Sequence, residues 1–179
     1  IQNCASLIWR LGDEKINQDS GDALPHHDPG LTIFIVSGAF GDCFPELGAP
    51  FQKGIDRLTG LGYRIETIAV EGRSGSERDA HLIAEALSRK IHQETDRLLL
   101  IGYSKGVTDI LHFLVDFPDL ARQVAAVISV SGAVNGSPLA EKFGDLYEKW
   151  LADALPSRCP PGDKKVLISL QRKVQMAWL

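Results

Sequence analysis

Residues 98–106 read LLLIGYSKG, a continuous apolar run that ends in a serine flanked by glycines. The run is short and is followed at once by the helical pattern of Val107 to Val115, so it predicts a buried β-strand, a tight turn and a helix. In such a tight turn the residues two positions before and after Ser104 need to lack side chains, a condition that Gly102 and Gly106 meet. The pattern therefore predicts that Ser104 has a strained backbone and a hydroxyl that points out of the carboxyl end of the sheet.

Similar strand-like runs lie on both sides of this stretch, at Leu31 to Val36, Tyr63 to Val70 and Val124 to Val130. Helical patterns separate the first three strands, at Phe51 to Leu61 and at Glu77 to Ile91, where Leu82, Ala86 or Leu87, and Ile91 form the predicted apolar stripe. Alternating strands and helices with short connections are typical of a parallel sheet built from right-handed crossovers. We therefore predict the α/β class, with a mostly parallel sheet and helices on both of its faces.

The chain divides into three regions by pattern. Residues 1–30 are an N-terminal extension of uncertain structure, residues 31–136 form the α/β core, and residues 137–179 form a helical segment after the sheet, in which a cap region could begin. Within this last region, Ser137 and Pro138 predict the start of a helix over residues 137–155, and a final helix should present Leu167, Leu170, Val174 and Trp178 on one face. Earlier in the chain, residues 74–77 have the spacing of a capping box.

Length and composition indicate one globular domain, because 179 residues with 44% hydrophobic content can bury one sizeable core. The net charge of −4 and the scattered basic residues argue against a nucleic-acid partner, and no apolar run is long enough to span a bilayer. The chain is expected to be soluble, but it begins without Met, so its compartment and oligomeric state stay open. Three distant cysteines, Cys4, Cys43 and Cys159, favour reduced, buried thiols over one disulfide with a leftover thiol.

A second glycine-containing loop, residues 37–42, follows the first predicted strand at the same edge of the sheet as Ser104. In an acyl-transfer site, two backbone N–H groups stabilise the oxyanion, one from the residue after the nucleophile and one from such a loop. This geometry selects the amides of Lys105 and Ala39, with Phe40 as the alternative to Ala39. The Lys105 side chain itself is expected to be solvated.

Three segments in order, residues 37–41, 102–106 and 136–140, make the chain from about Leu31 to Ala140 resemble an α/β-hydrolase of the lipase type. The resemblance implies a serine hydrolase that acts on carboxylic esters of lipids or other small molecules, through an acyl-enzyme on Ser104 and without a metal or cofactor. Two segments depart from the pattern of these lipases: Ser37-Gly38 replaces His-Gly, and residues 133–135 replace a segment containing Pro-His. The departures leave the acyl and alcohol preference open.

A general base for Ser104 is hard to place. The fold calls for an acid and then a histidine after the serine, but His112 is only eight residues on, about 12 Å along the same helix. His81 and His92 are expected to be surface or packing residues, the cluster His26-His27-Asp28 a solvated loop, and none of Asp145, Asp153 and Asp163 is assigned as the acid.

Two explanations of this gap remain. The favoured one is a truncated chain whose acid and histidine lie beyond Leu179, and the other is a catalytically silent domain that binds a ligand or partner. Phosphate binding at residues 72–75 is disfavoured, because neither dinucleotide nor P-loop glycine spacing is present.

Overall fold

The computed structural model describes residues 30–43, 51–91, 97–147 and 159–178. The helices and strands run in the order β1 (Leu31–Val36), α1 (Gln52–Gly60), β2 (Arg64–Ile68), α2 (Ser76–Ser88), β3 (Arg97–Tyr103), α3 (Lys105–Asp116), α4 (Pro118–Ala121), β4 (Val124–Val130), α5 (Pro138–Leu146), α6 (Val166–Ser169) and α7 (Arg172–Trp178). The four strands form one parallel sheet in the order β2-β1-β3-β4. The predicted fold class is confirmed.

Both faces of this sheet carry helices. On one face Phe34, Val36 and Leu100 pack with residues of α2 and α3 into the main core, where Ile83 and Ile110 are fully buried. On the opposite face lies Tyr103, whose ring meets that of Phe51, just before α1, edge-on at a centroid distance of 5.7 Å. β1 lies between two strands and has four buried residues in succession, which explains its continuous apolar sequence.

Helix α2 buries Leu87 of the predicted stripe but not its other members. Its buried apolar residues are Ala80, Ile83, Ala84 and Leu87, whereas Leu82, Ala86 and Ile91 are only half-buried. The polar Ser76 and Asp79 are buried with them, because Ser76 lies four residues before Ala80 and Asp79 four residues before Ile83. The predicted capping box is wrong as well, because Gly75 is the N-cap and the Ser74 hydroxyl donates to Glu71 instead, at 2.6 Å.

After the sheet, the chain differs from the predicted pair of long helices. α5 starts at Pro138 as predicted, and its described part ends by Tyr147, so the rest of the predicted helix over 137–155 lies outside the described residues. The final helix is divided into α6 and α7 by a turn at Leu170 and Gln171. At this turn the Leu170 carbonyl accepts from the Ser137 amide at 2.9 Å, a contact that periodicity alone does not encode.

A disulfide joins Cys43 to Cys159, 116 residues apart in sequence. The expectation that these two cysteines are reduced thiols is therefore wrong, and no pattern of spacing indicated the pair because the fold alone brings the two residues together. The bond connects the loop after β1 to the segment before α6. Cys4 and the rest of the N-terminal extension, with His26, His27 and Asp28, lie outside the described residues, as do His92 and Asp153.

Within the described ranges, the helices are all too short or too polar to cross a bilayer.

Candidate active site

The turn at residues 102–106, which we call the Ser104 turn, joins β3 to α3 through an unfavourable backbone conformation. Ser104 has φ 53° and ψ −117°, in a region that L-residues rarely adopt. Its N–H donates to the Val130 carbonyl at 2.9 Å, and its own carbonyl accepts from the amides of Val107 and Ala133 at 3.3 and 3.4 Å. Hydrogen bonds to β4, to α3 and to the segment after β4 therefore hold the strained residue in place.

The two glycines of the Ser104 turn lie where a side chain has no room. A Cβ on Gly102 would lie 2.7 Å from the backbone of Val107, and a Cβ on Gly106 would lie 2.4 Å from the Val36 carbonyl oxygen. The neighbours are backbone atoms, which cannot move aside as a flexible side chain could. The close approach brings the start of α3 directly over the end of β1.

The loop after β1 lies against Ser104. A Cβ on Gly38 would lie 3.0 Å from Ser104 Cβ, so the two backbones are in van der Waals contact. Phe40 has a positive φ of 60°, and its amide donates to the Gly72 carbonyl at 2.8 Å. By contrast, the amides of Ala39 and Lys105 hydrogen-bond to no acceptor among the described residues. Two N–H groups without an acceptor in the described ranges thus flank the serine.

Side chains from distant parts of the chain support this loop. The Phe40 ring meets the Tyr147 ring edge-on at a centroid distance of 5.7 Å, and the Tyr147 hydroxyl accepts from the buried Arg73 at 3.2 Å. The Cys43 amide donates to the Phe40 carbonyl at 3.0 Å, and Cys43 is itself bonded to Cys159. The loop is therefore fixed to the segment that follows the sheet.

Lys105 does not point into solvent, and the prediction of a solvated side chain is wrong. Its side chain is 1% exposed, and its ammonium donates to Asp79 Oδ2 at 2.6 Å and to both carboxylate oxygens of Asp109 at 2.7 and 2.8 Å. The other oxygen of Asp79 accepts from the Glu71 amide at 3.0 Å. We call Lys105, Asp79 and Asp109 the buried ion cluster; it lies between α2 and α3, so the ammonium is bound by these carboxylates.

In the buried ion cluster, burial and the attraction between opposite charges shift each pKa in opposite directions. Burial raises the pKa of the Asp79 carboxyl to about 7, although the Lys105 ammonium opposes this shift. Burial by itself would lower the pKa of Lys105, but the carboxylates of Asp109 and Asp79 outweigh it and raise the pKa above its usual range. Lys105 is therefore charged at neutral pH, whereas Asp79 exchanges its proton near pH 7.

Two histidines, His81 and His112, belong to the described residues, and neither is placed as a base for Ser104. The His112 ring packs on the Trp178 ring at a centroid distance of 3.7 Å, and burial lowers its pKa against the opposing effect of Asp116. His112 lines a cavity of about 370 Å³ that Ser104 does not reach. His81 is exposed and meets the Phe117 ring edge-on at 5.0 Å. In the described part of the chain, Ser104 has no hydrogen bond to a histidine.

Two of the backbone amides in residues 72–75 that could bind a phosphate already have acceptors. The Gly75 amide donates to the Asp163 carboxylate at 2.9 Å, and the Ser74 amide donates to the Glu71 carbonyl at 2.8 Å. Asp163 is thereby engaged in holding this loop, and Asp145 is exposed on α5. Within the described ranges, no group of three metal-binding side chains occurs.

Sequence reasoning missed the buried ion cluster, although two signals were present. Lys105 and Asp109 are four residues apart on a helix, the spacing of an intrahelical ion pair. Asp79 lies four residues before the buried Ile83, so it shares the inner face of α2.

Comparison with solved structures finds similarity to carboxyl esterase and lipase structures. A metagenomic carboxyl esterase superposes with a TM-score of 0.78 at 35% identity, over 96% of this chain and 51% of the esterase. The lipase BlEst2 of Bacillus licheniformis, in its mature form, superposes with a TM-score of 0.64 at 25% identity, over 88% of this chain and 62% of the lipase. The chain thus spans about half to two thirds of the length of the structures it matches.

No protein-family model matches the sequence, and the comparison with curated proteins gives no match. The assignment therefore depends on the structures. The parallel sheet, its strand order and the superposition of nearly the whole chain on carboxyl esterase and lipase structures agree. The chain thus has the fold of the α/β-hydrolases and, over nearly its whole length, is similar to carboxyl esterase and lipase structures.

Proposed function

We propose that the protein hydrolyses carboxylic esters, of lipids or other small molecules, through an acyl-enzyme on Ser104. The observation that carries the proposal is the Ser104 turn: a serine in a strained conformation between a parallel strand and a helix, with glycines where backbones touch. The esterase and lipase likenesses support the same reaction class.

In the proposed reaction, the Ser104 hydroxyl oxygen bonds to the ester carbonyl carbon while its proton passes to a general base. The carbonyl oxygen becomes an oxyanion, which the N–H groups of Ala39 and Lys105 stabilise as hydrogen-bond donors. Collapse of this intermediate releases the alcohol, which takes the proton, and water then cleaves the acyl-enzyme to a carboxylic acid and free Ser104. No cofactor takes part.

Hydrogen bonding favours Ala39 over Phe40 as the second donor. The Phe40 amide already donates to the Gly72 carbonyl, whereas those of Ala39 and Lys105 have no acceptor within the described ranges. A donor that is free before the substrate binds loses no hydrogen bond when the oxyanion forms. The start of α3 adds the positive end of its helix dipole at Lys105.

The general base is the part that the described residues do not supply, so the proposal concerns the full-length protein. A histidine oriented by a carboxylate is the usual base for a serine of this kind. The alternative function is a hydrolase-like domain that binds a ligand or partner without turnover, and one observation favours it: no described histidine hydrogen-bonds to Ser104.

Ester hydrolysis by the full-length protein separates the two. We expect Ser104→Ala to lower kcat by about 10⁴-fold or more, because the residual rate then comes from binding and the oxyanion donors alone. Ser131→Ala is the matched control, since Ser131 also has a positive φ, of 50°, and also follows a parallel strand. A folded wild-type protein with no turnover above that of Ser104→Ala would support the silent domain and contradict the esterase.

A further inference from the structure

Three hydrogen bonds, with the backbone segments between them, connect the loop that carries Ala39 to the side chain of Lys105. From the loop after β1, the Phe40 amide donates to the Gly72 carbonyl at 2.8 Å. The neighbouring Glu71 amide donates to Asp79 at 3.0 Å, and Asp79 accepts from the Lys105 ammonium at 2.6 Å. The path therefore runs from Phe40, the residue after Ala39, to the ammonium of Lys105, the residue after Ser104.

The path is buried at its Lys105 end, whereas Phe40 and Glu71 are half-buried. Asp79, Asp109 and Lys105 are at most 1% exposed in their side chains, so water does not compete for their hydrogen bonds. At the crossing with the loop, a Cβ on Gly72 would lie 2.7 Å from the Phe40 nitrogen, which shows how closely the backbones pack there. Asp109 holds the ammonium with both oxygens from the next turn of α3.

A lysine with its side chain in solvent would fit the first turn of α3 equally well. The burial of Lys105 with two aspartates therefore needs a separate explanation. Buried ion clusters seldom add stability over well-packed apolar residues of the same volume. What they add is a fixed geometry, since each partner must occupy one position to satisfy the others. Here the fixed position is that of the residue directly after Ser104.

We infer that Lys105, held by Asp79 and Asp109, is a positioning residue that sets the distance between the Lys105 amide and the Ala39 amide. The inference depends on the proposed esterase function, in which these two amides stabilise the oxyanion. Displacing one donor by a fraction of an ångström weakens its hydrogen bond to the transition state but leaves the ester-binding surface unchanged. Loss of the buried ion cluster should therefore lower kcat and leave KM nearly constant.

The test uses the full-length protein with the three substitutions Lys105→Met, Asp79→Asn and Asp109→Asn combined, which removes every charge of the cluster and leaves none unpaired. We expect kcat for ester hydrolysis to fall about 10- to 100-fold, with KM within about twofold of wild type. The free energy of unfolding should exceed that of Lys105→Met alone, because no buried carboxylate lacks its partner. If the cluster only stabilised the fold, the combined variant would have wild-type kcat as well as restored stability. That result would overturn the inference.

A single isosteric substitution, Asp79→Asn, repeats the test if the combined variant does not fold. It keeps the shape but leaves one acceptor oxygen in place of the two that bind the Lys105 ammonium and the Glu71 amide, so we expect a several-fold lower kcat with unchanged KM. Glu85→Gln at the exposed end of α2 is the matched control and should change neither constant. Wild-type kcat in a folded Asp79→Asn variant would overturn the inference alone, whereas wild-type turnover no greater than that of Ser104→Ala would overturn the esterase proposal and this inference with it.

Discussion

The first turn of α3 and the outer surfaces of α1 and α2 contain the same kinds of residues in opposite surroundings. Lys105 and Asp109 form an ion pair four residues apart with side chains 1% exposed, and Arg89 and Glu85 form one of the same spacing with side chains 64% and 62% exposed. Gly106 packs against backbone, whereas a Cβ on Gly54 would meet no atom within 4 Å. Spacing in the sequence thus identifies an ion pair or a glycine site, but the burial of the residues determines how much each contributes to stability.

Breaking the two ion pairs should give the largest contrast. Lys105→Met leaves the Asp109 carboxylate buried without its cation and Asp79 without its donor, and we expect the free energy of unfolding to fall by about 3–5 kcal/mol. Arg89→Met on the exposed pair should change it by about 0.5 kcal/mol or less, because water replaces the lost partner. Urea denaturation of both variants measures the difference, and equal effects would show that the buried ion cluster is not formed.

The next contrast is between Gly106→Ala and Gly54→Ala, which should change the stability of the fold in opposite directions. Gly106→Ala places a methyl group against the Val36 carbonyl, and we expect a loss of about 1–3 kcal/mol from overpacking. Gly54→Ala enters open space within α1 and should gain about 0.5–1 kcal/mol from helix propensity. Thermal unfolding should therefore show a lower Tm for the first variant and a higher Tm for the second; a neutral Gly106→Ala would contradict the close contact between α3 and β1.

The smallest contrast concerns pH. The folded protein holds a proton on Asp79 up to about pH 7, but the unfolded chain releases it near the ordinary Asp pKa of 3.8, so the stabilising contribution is complete below pH 3.8 and is lost as pH rises to about 7. Asp79 is faced by Lys105 and Asp109 from α3, by the Glu71 amide, and by Arg78 on its own helix. Lys105 and Arg78 both have a raised pKa, so these two cations keep their charge throughout this range.

Asp79→Asn should remove this pH dependence, and the free energy of unfolding of wild type should decline relative to the variant between pH 4 and pH 7. Denaturation at several pH values measures it. Glu85→Gln on the exposed pair should leave the wild-type slope unchanged. A wild-type curve parallel to that of Asp79→Asn would contradict the raised pKa of Asp79.

Local patterns predicted the sheet well because strands and turns are encoded by neighbouring residues. The bounds of β1 and β4 agree with the structure to the residue, and the apolar run before Ser104 became β3. The features that were wrong depend on contacts between distant residues: the disulfide of Cys43 and Cys159, the break between α6 and α7, and the burial of Lys105 against Asp79. A lysine after a strand gives no local sign of which helix its ammonium will meet.

The same division applies to the candidate site. The glycines of the Ser104 turn are recognisable from the sequence because they flank the serine after an apolar run, although the backbone that Gly106 contacts belongs to β1. The choice between Ala39 and Phe40 required the Gly72 hydrogen bond, and the positioning of Lys105 required α2. The catalytic roles of Ser104, Ala39 and Lys105 stay predictions until activity is measured.

Covalent labelling tests the central claim most directly. The full-length protein is treated with a fluorophosphonate, digested and analysed by peptide mass spectrometry. The account predicts one phosphonyl group on the Ser104 hydroxyl oxygen in wild type, retained in Ser131→Ala and absent from Ser104→Ala. A label on another residue, or a folded protein with no label on Ser104, would contradict it.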